Sequence, residues 1–173
     1  MNPETPETPE TPETPETHAL QYTWVIWCHN LHDNNWSIES YKKLYEFNTI
    51  EGFWKALNTL NQCLSKALIF IMKEGILPVW EDPQNVNGCS ISLLSTKPAI
   101  YWRELCMGLI SNDFIQNENE INGISSCPKH HKVLFKLWMK NCKDPVLHAD
   151  YPLINLTRSK KKIYTNDDSF TVK

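Results

Sequence analysis

Two of the seven tryptophans in this sequence stand at places that a hydrophobic core does not explain. Trp36 follows a cluster of Asn and Asp residues at positions 30–35, which is typical of a loop, and Trp80 ends an apolar segment directly before Glu81. An exposed indole face attracts flat rings, and it attracts flat cations most strongly. A carboxylate accepts two N–H donors side by side. These residue types are therefore suited to holding a flat ring that carries N–H groups along one edge.

The segments around these residues indicate the elements that must position them. Alternation from Tyr22 to Cys28 predicts a central strand, with one face formed by Tyr22, Trp24, Ile26 and Cys28. Asn48, with Glu51 three residues later, predicts the N-terminal cap of a first helix. The buried stripe of that helix comprises Phe53, Leu57, Leu60 and Leu64. Trp54 lies at the edge of this stripe, where we expect it to be partly exposed.

The remaining sequence contains further strands and one long helix. Strands are predicted at residues 67–72, 76–80, 91–94 and 133–139. Pro98 suits the first turn of a second helix, whose inward face comprises Trp102, Leu105, Cys106 and Leu109. A short helix around Leu147 and a closing strand at Ile163-Tyr164 follow. Strands mixed with helices at irregular spacing predict an α+β domain, in which helices cover one face of an antiparallel sheet.

Composition and charge limit the classes to which the chain can belong. Residues 1–17 repeat Pro-Glu-Thr without a large apolar side chain, which predicts a disordered tail ahead of one domain at 18–173. Without a secretory signal, the six cysteines are predicted to be reduced thiols in a cytoplasmic or nuclear protein. No apolar run approaches the ~20 residues that span a bilayer. The net charge of −3 argues against a large sequence-independent nucleic-acid surface but allows a local nucleotide site.

Several short motifs follow one another in an order that identifies a family. They are His18-Ala19-Leu20, Trp24-Val25-Ile26-Trp27, Thr49-Ile50-Glu51-Gly52-Phe53-Trp54, Pro78-Val79-Trp80-Glu81-Asp82, Tyr101-Trp102-Arg103-Glu104 and Lys136-Leu137-Trp138. In this order they resemble the eukaryotic translation initiation factor 4E family, the proteins that bind the methylated cap at the 5′ end of messenger RNA. The resemblance runs from His18 to about Phe170. The segment that contains Trp80 and Glu81 is its most diagnostic part.

The resemblance implies a fold and a base-binding site. The fold is a curved antiparallel sheet of about eight strands, with about three helices on its convex face. The site holds the 7-methylguanine base between Trp36 and Trp80, which arrive from two different loops. Methylation makes this base cationic, which strengthens its attraction to the two indole faces. Glu81 then accepts the two N–H donors on the guanine edge, and Trp138 contacts the methyl group.

The resemblance also implies that basic residues near Trp138 hold the triphosphate of the cap. Lys129, Lys132 and Lys136 form a cluster on the way to this tryptophan, and residues 158–162 contain a second basic cluster. The chain departs from the family on this side of the site, where arginine, tryptophan and lysine are replaced by Cys89, Ser90 and Leu134. Pro128 also stands where a sheet strand is expected. We therefore expect recognition of the methylated guanine with reduced affinity for the whole cap.

A second surface is implied around Trp54. The residues that join it in the family's partner-binding groove are His18, Ile50, Glu51, Glu104 and Met107. Such a groove accepts a short helix that carries a Tyr-x-x-x-x-Leu pattern. Its implied partners are a scaffold resembling initiation factor 4G, or 4E-binding proteins, and the chain itself is expected to be a monomer.

Two alternatives remain open at the level of sequence. One lies inside the family and is a cap-binding paralogue that represses translation instead of recruiting the scaffold. The other is a zinc-binding protein, because two cysteines and two histidines have a spacing that could bind zinc: Cys127, His130, Cys142 and His148. The sequence has no phosphate-binding Gly loop, nucleophile elbow or paired acid and base. We therefore predict a non-enzymatic protein without a cofactor or a metal.

Overall fold

The computed structural model describes residues 16–112, 121–141 and 163–165. Within these ranges, seven strands form one antiparallel sheet in the spatial order β2-β1-β3-β5-β6-β4-β7. The strands are β1 (Ala19–Asn30), β2 (Lys42–Thr49), β3 (Ala67–Lys73), β4 (Cys89–Ser95), β5 (Ile121–Lys129), β6 (Lys132–Met139) and β7 (Ile163–Thr165). The helices are α1 (Ile50–Leu60), α2 (Pro98–Ser111) and a 3-10 turn at Ile38–Ser40. The predicted α+β class is confirmed, with a curved antiparallel sheet.

The alternation predicted for the first strand is present in β1. Trp24 and Ile26 pack in the core beneath the helices, whereas Trp27 packs on the opposite face of the sheet. The strand is paired on both sides, with β2 and with β3. The closing strand is also present, because Ile163–Thr165 pairs with β4.

The first helix begins with a different cap from the predicted one. The cap is Thr49, whose hydroxyl accepts a hydrogen bond from the backbone N–H of Gly52 at 3.1 Å. Asn48 is instead a residue of β2, so the prediction of Asn48 as the cap is wrong. Glu51 does not close a capping box but accepts the backbone N–H of His18 at 3.1 Å. The shift occurs because β2 runs into α1 without a loop, so the last strand residue, Thr49, directly precedes the helix and caps it.

The second helix and the buried stripe of the first agree with the sequence. Pro98 occupies the first turn of α2, and its predicted inward residues are all buried: Trp102, Leu105, Cys106 and Leu109. Phe53, Leu57, Leu60 and Leu64 are likewise buried, while Trp54 is half-buried at their edge. The helices thus cover one face of the sheet, where the larger core lies.

Three segments differ from the predictions. Residues 76–80 form turns and bends instead of a strand. The periodicity of the sequence did not predict strands β2 and β5, because β2 is mostly exposed and the sequence of β5, Ile-Asn-Gly-Ile-Ser-Ser-Cys-Pro-Lys, lacks apolar alternation. Pro128 does not interrupt β5, since pairing with β3 ends at Ser126 and no ladder bond is required of the proline on that side.

Some predictions lie outside the described residues. These are most of the tail at 1–17, the short helix around Leu147, the basic cluster at 158–162, and both Cys142 and His148. Among the residues that the structure describes, no helix is both long and apolar enough to cross a membrane.

Candidate functional site

The sheet face opposite the helices carries a continuous row of aromatic rings, called here the aromatic row. Consecutive rings contact one another, with centroids 3.9 to 6.2 Å apart, in the order Trp36, His29, Tyr41, Phe70, Trp138 and Trp80. The inner members come from β1, β3 and β6 and from the residue before β2. The two tryptophans predicted from sequence therefore lie at opposite ends of one row on one face.

At one end, Trp36 lies flat against His29. The two ring centroids are 4.5 Å apart and the planes differ by 6°. Nε2 of His29 lies 2.7 Å from the carbonyl oxygen of Asn35, the residue before Trp36, and must carry the proton because a carbonyl only accepts. The Ser40 hydroxyl donates to the same carbonyl oxygen at 2.7 Å. With 55% of Trp36 exposed, one indole face is covered by His29 and the other remains open.

At the other end, Trp80 stacks on Trp138. The ring centroids are 3.9 Å apart and the planes differ by 21°. Trp138 is 3% exposed and its indole N–H donates to the Ser125 hydroxyl at 3.0 Å, so its ring is held in place beneath Trp80. Nζ of Lys136 lies 5.8 Å from the centroid of the Trp80 ring. The predicted contact between Trp138 and a methyl group stays a prediction.

Glu81 is coupled electrostatically to one ring of the aromatic row. Its side chain is exposed, yet its carboxylate acts on Tyr41, a buried member of the row. Burial, together with the negative charge of Glu81, raises the pKa of Tyr41 to about 12. The acid predicted to read N–H donors is therefore exposed, follows Trp80 directly in the chain and acts electrostatically on Tyr41.

The three predicted phosphate-binding lysines share the face of the aromatic row. Lys129 is paired with Lys132 across the β5–β6 hairpin, and side chains paired across two strands project to the same face. Lys136 and Trp138 lie four and six residues beyond Lys132, on the same side of β6. Burial lowers the pKa of Lys136, and repulsion from Lys129 lowers it further, against an opposing effect of Cys127. The positive charges thus begin directly beside Trp80 and extend along the hairpin.

The three residues that depart from the family on the phosphate side are buried or half-buried. Cys89 is completely buried, with its thiol 3.4 Å from the carbonyl oxygen of Asn141. Ser90 is buried as well, and Leu134 is half-buried on the face of the lysines. None of these side chains carries a charge to this face.

The predicted partner surface lies on the opposite side of the sheet. His18 and Glu51 are hydrogen-bonded, with Nδ1 and Oε1 2.8 Å apart, and this hydrogen bond is the main reason that the pKa of Glu51 is lowered. Arg103 of α2 packs over the indole of Trp54 with 5.4 Å from its guanidinium carbon to the ring centroid. Ile50 is exposed, and two residues of α2 are half-buried, Glu104 and Met107. Trp54 and Arg103 thereby join α1 and α2 into one continuous surface.

The zinc alternative gains no support from the part of the chain that the structure describes. Cys127 is a half-buried free thiol, and His130 is an exposed residue of the hairpin turn with a φ of 54°. Within the described ranges, no three potential ligands come together around one point. The other two residues of the set lie outside those ranges.

Sequence reasoning missed the residues that hold the site together. His29 and Tyr41 support the stacking residues, and Asp82 and Asn85 are buried in the segment that carries Trp80. The sequence pattern could have identified His29, because it follows Val25 and Trp27 at every second position of β1 and so lies on the face opposite the helices. The polar pair resembles ordinary loop composition in the sequence, and only its burial reveals a role.

Known proteins match this chain over most of its length. A sequence model described as eukaryotic initiation factor 4E matches residues 19–161. Eukaryotic translation initiation factor isoform 4E-2 of Triticum aestivum is 28% identical over 144 residues, which covers 77% of this chain and 68% of that protein. The structure of Ascaris suum eIF4E-3 with m7G cap has a TM-score of 0.72 and 25% identity, and the match covers 91% of this chain and 96% of that one.

A further similar structure is the complex of C. elegans eIF4E-3 with the 4E-binding protein Mextli and a cap analog. Its TM-score is 0.67 at 26% identity, over 73% of this chain and 76% of that one. The structural matches agree with the curved sheet and its two helices. Because the family match spans most of the sequence, this chain belongs to the eukaryotic initiation factor 4E family.

Proposed function

We propose that this protein binds the 7-methylguanosine cap of messenger RNA and brings it to the translation initiation machinery in the cytoplasm, without catalysing a reaction. Family membership supports this role, as do the similar structures that contain a cap or a cap analog. The observation that carries the proposal is the aromatic row, which ends in Trp36 and Trp80, with the exposed Glu81 directly after Trp80 in the chain.

The base is proposed to stack between the open faces of Trp36 and Trp80. Their other faces are already covered, by His29 and by Trp138 respectively. Because one face of each indole is already packed, the two tryptophan side chains lose little conformational entropy when the guanine base binds between them. A cationic 7-methylguanine gains attraction to both indoles that the neutral base lacks.

Selectivity for guanine is assigned to Glu81. The guanine edge presents two adjacent N–H donors, and one carboxylate accepts both in a charge-assisted pair. The positive charge on the methylated base adds Coulombic attraction to the same carboxylate. A backbone N–H of Trp80 or Glu81 would serve the guanine carbonyl, and Trp138 would contact the methyl group at the edge of the slot.

The triphosphate is proposed to follow the hairpin of β5 and β6. Lys136 stands beside Trp80, and Lys132 and Lys129 continue the positive charge away from it. Phosphate contacts fix position and add affinity but do not select the base. Without charged side chains at Cys89, Ser90 and Leu134, this half of the site should contribute less affinity than the base half.

The proposal is tested by titrating the protein with 7-methylguanosine triphosphate and with GTP. We expect the methylated nucleotide to bind more tightly, and we expect Trp36→Ala or Glu81→Gln to weaken its binding at least about tenfold. Trp54→Ala is the matched control, because this tryptophan lies on the opposite side of the sheet. Equal affinity for both nucleotides, or full affinity in Glu81→Gln, would show that the assignment of the site is wrong.

The surface around Trp54 is proposed to bind a Tyr-x-x-x-x-Leu helix of a 4G-like scaffold or of a 4E-binding protein. One of the similar structures contains a 4E-binding protein, and the joined surface of α1 and α2 offers an aromatic anchor with an arginine across it. A peptide with this pattern should bind the native protein and be lost in Trp54→Ala, with cap binding unchanged. A protein that binds the cap but not the peptide would instead be a repressor-type paralogue.

A further inference from the structure

The segment that carries Trp80 and Glu81 is held by buried polar side chains instead of a strand ladder. Residues 76–88 form turns, and three buried polar residues contact them, with exposed fractions of 6%, 1% and 2%: Asp82, Asn85 and Asn122. Buried polar groups are costly unless their hydrogen bonds are satisfied. Their bonds therefore show which parts of the segment they fix.

Asp82 and Asn85 clamp the segment from within. One carboxylate oxygen of Asp82 accepts the backbone N–H of Leu77 at 2.9 Å, and the other accepts that of Gln84 at 2.8 Å. The side-chain amide of Asn85 donates to the carbonyl oxygens of Leu77 at 2.9 Å and Val79 at 2.7 Å. Asp82 thus binds backbone groups on both sides of the Trp80-Glu81 pair, and Asn85, which follows the pair, binds two carbonyls that precede it.

Asn122 ties this clamp to the sheet. It belongs to β5, and its side-chain amide donates to the carbonyl oxygen of Gln84 at 2.7 Å and to the side-chain oxygen of Asn85 at 2.9 Å. Both N–H groups of the amide are used, and both acceptors lie in the segment. The same strand carries Ser125, which holds the ring of Trp138 under Trp80. One strand thus fixes both the backbone of the segment and the ring against which Trp80 stacks.

The bonded atoms enclose the functional pair closely. The carbonyl of Val79 directly precedes Trp80, and the carboxylate of Asp82 directly follows Glu81. Only two residues lie between these fixed points, so a shift of the clamp would move both functional side chains together. Binding sites need their contacting groups held to a fraction of an ångström by a supporting layer of this kind.

We propose that Asp82, Asn85 and Asn122 are positioning residues that set the Trp80-Glu81 pair for the methylated guanine, with Asn122 fixing its distance from the sheet. This inference rests on the proposed function. Glu81 is exposed, so its side chain has little packing of its own to orient it. Its placement over the base edge depends on the backbone that the clamp holds.

The inference is tested with Asn122→Ala and two nucleotides, 7-methylguanosine triphosphate and 7-methylinosine triphosphate. Both bases are flat and cationic, but the inosine lacks the amino group and offers Glu81 one N–H donor fewer. In the native protein we expect a preference for the guanine of about tenfold, the effect of one charge-assisted hydrogen bond. In Asn122→Ala we expect this preference to fall to about twofold or less, because a displaced carboxylate no longer reaches both donors.

The ratio separates positioning from a purely structural role. A variant that is merely less stable would lose affinity for both nucleotides in proportion and keep the native preference. Ser126→Ala is the matched control, since Ser126 is a fully buried residue of the same strand whose hydroxyl has no hydrogen-bond partner within the described residues. It should keep the native preference.

Each outcome decides between the two levels of the proposal. The proposed function itself is overturned if the native protein binds 7-methylguanosine triphosphate no more tightly than GTP and no more tightly than 7-methylinosine triphosphate. A native preference that survives unchanged in folded Asn122→Ala overturns the positioning role alone. If Asn122→Ala does not fold, Asn122→Ser, which keeps one donor, should show an intermediate preference, and a native preference there overturns the role equally.

Discussion

Replacing His29 by alanine removes the surface against which Trp36 lies. The ring of His29 stacks on the indole at 4.5 Å with nearly parallel planes, and its Nε2–H bonds to the carbonyl of Asn35 at 2.7 Å. Because 55% of Trp36 is exposed, few other contacts hold its plane. We therefore expect the indole to leave its binding orientation for part of the time in His29→Ala, and the cap to bind more weakly.

The size of the effect follows from the two lost contacts. An aromatic stack of this kind contributes about 0.5–1.5 kcal/mol, and a neutral hydrogen bond contributes about as much again. Together the two contacts contribute about 1–3 kcal/mol to holding Trp36 in its binding orientation. Because only the oriented fraction binds the cap, their loss should weaken the affinity for the cap by at most about 5- to 150-fold. His29→Phe keeps a flat ring and loses the hydrogen bond, so its loss should be about 2- to 10-fold.

Calorimetric titration with 7-methylguanosine triphosphate measures these losses directly. Thermal unfolding of each variant, recorded alongside, confirms that it is folded. The decisive measurement repeats His29→Ala in a Trp36→Ala background, where there is no indole left to orient. An equal loss in both backgrounds, or no loss in either, would refute the claim that His29 acts through Trp36.

Three further predictions concern the surrounding structure. Burial and Glu81 raise the pKa of Tyr41 from 10.0 to about 12. The contribution of Tyr41 to stability is therefore complete below about pH 10 and is lost as the pH rises to about 12. In Tyr41→Phe, the free energy of unfolding, measured with denaturant, should fall less between about pH 10 and about pH 12. Gly123→Ala should destabilise the protein by about 1–3 kcal/mol in urea, since its Cβ would lie 2.4 Å from the carbonyl oxygen of Ile71. Thr49→Ala should lower the free energy of unfolding by about 1 kcal/mol through loss of the helix cap, measured in the same way.

Matched variants sharpen these three tests. Glu81→Gln should bring the pKa of Tyr41 part of the way back, because burial is the larger cause, and an unchanged titration at 295 nm would place Glu81 elsewhere. Ser126→Ala alters the same strand as Gly123 without adding an atom and should leave stability nearly unchanged. Asn48→Ala should cost less than Thr49→Ala, and the reverse order would restore the cap that the sequence predicted.

The local sequence was sufficient for features that depend on neighbouring residues. Alternation in β1, the proline at the start of α2 and the buried stripe of α1 are set by side-chain periodicity, so they could be predicted. The motif of Trp80 followed by Glu81 pointed to a site because two chemically suited residues are adjacent in the chain. The function class followed from the order of such motifs.

Other features were decided by contacts between distant parts of the chain. Strands β2 and β5 carry little apolar pattern and form because β1, β3 and β6 offer them unpaired backbone groups. Residues 76–80 are apolar enough for a strand, yet the side chains of Asp82 and Asn85 take backbone bonds that a ladder would need.

The aromatic row belongs wholly to the tertiary structure. Its rings come from positions as far apart as 29 and 138, and no spacing in the sequence relates them. The sequence by itself predicted which side chains would bind a methylated guanine. The pairing of the strands determined that His29 and Trp138 lie on one sheet face, where each covers one face of a terminal tryptophan, because register and not sequence distance sets which side chains share a face.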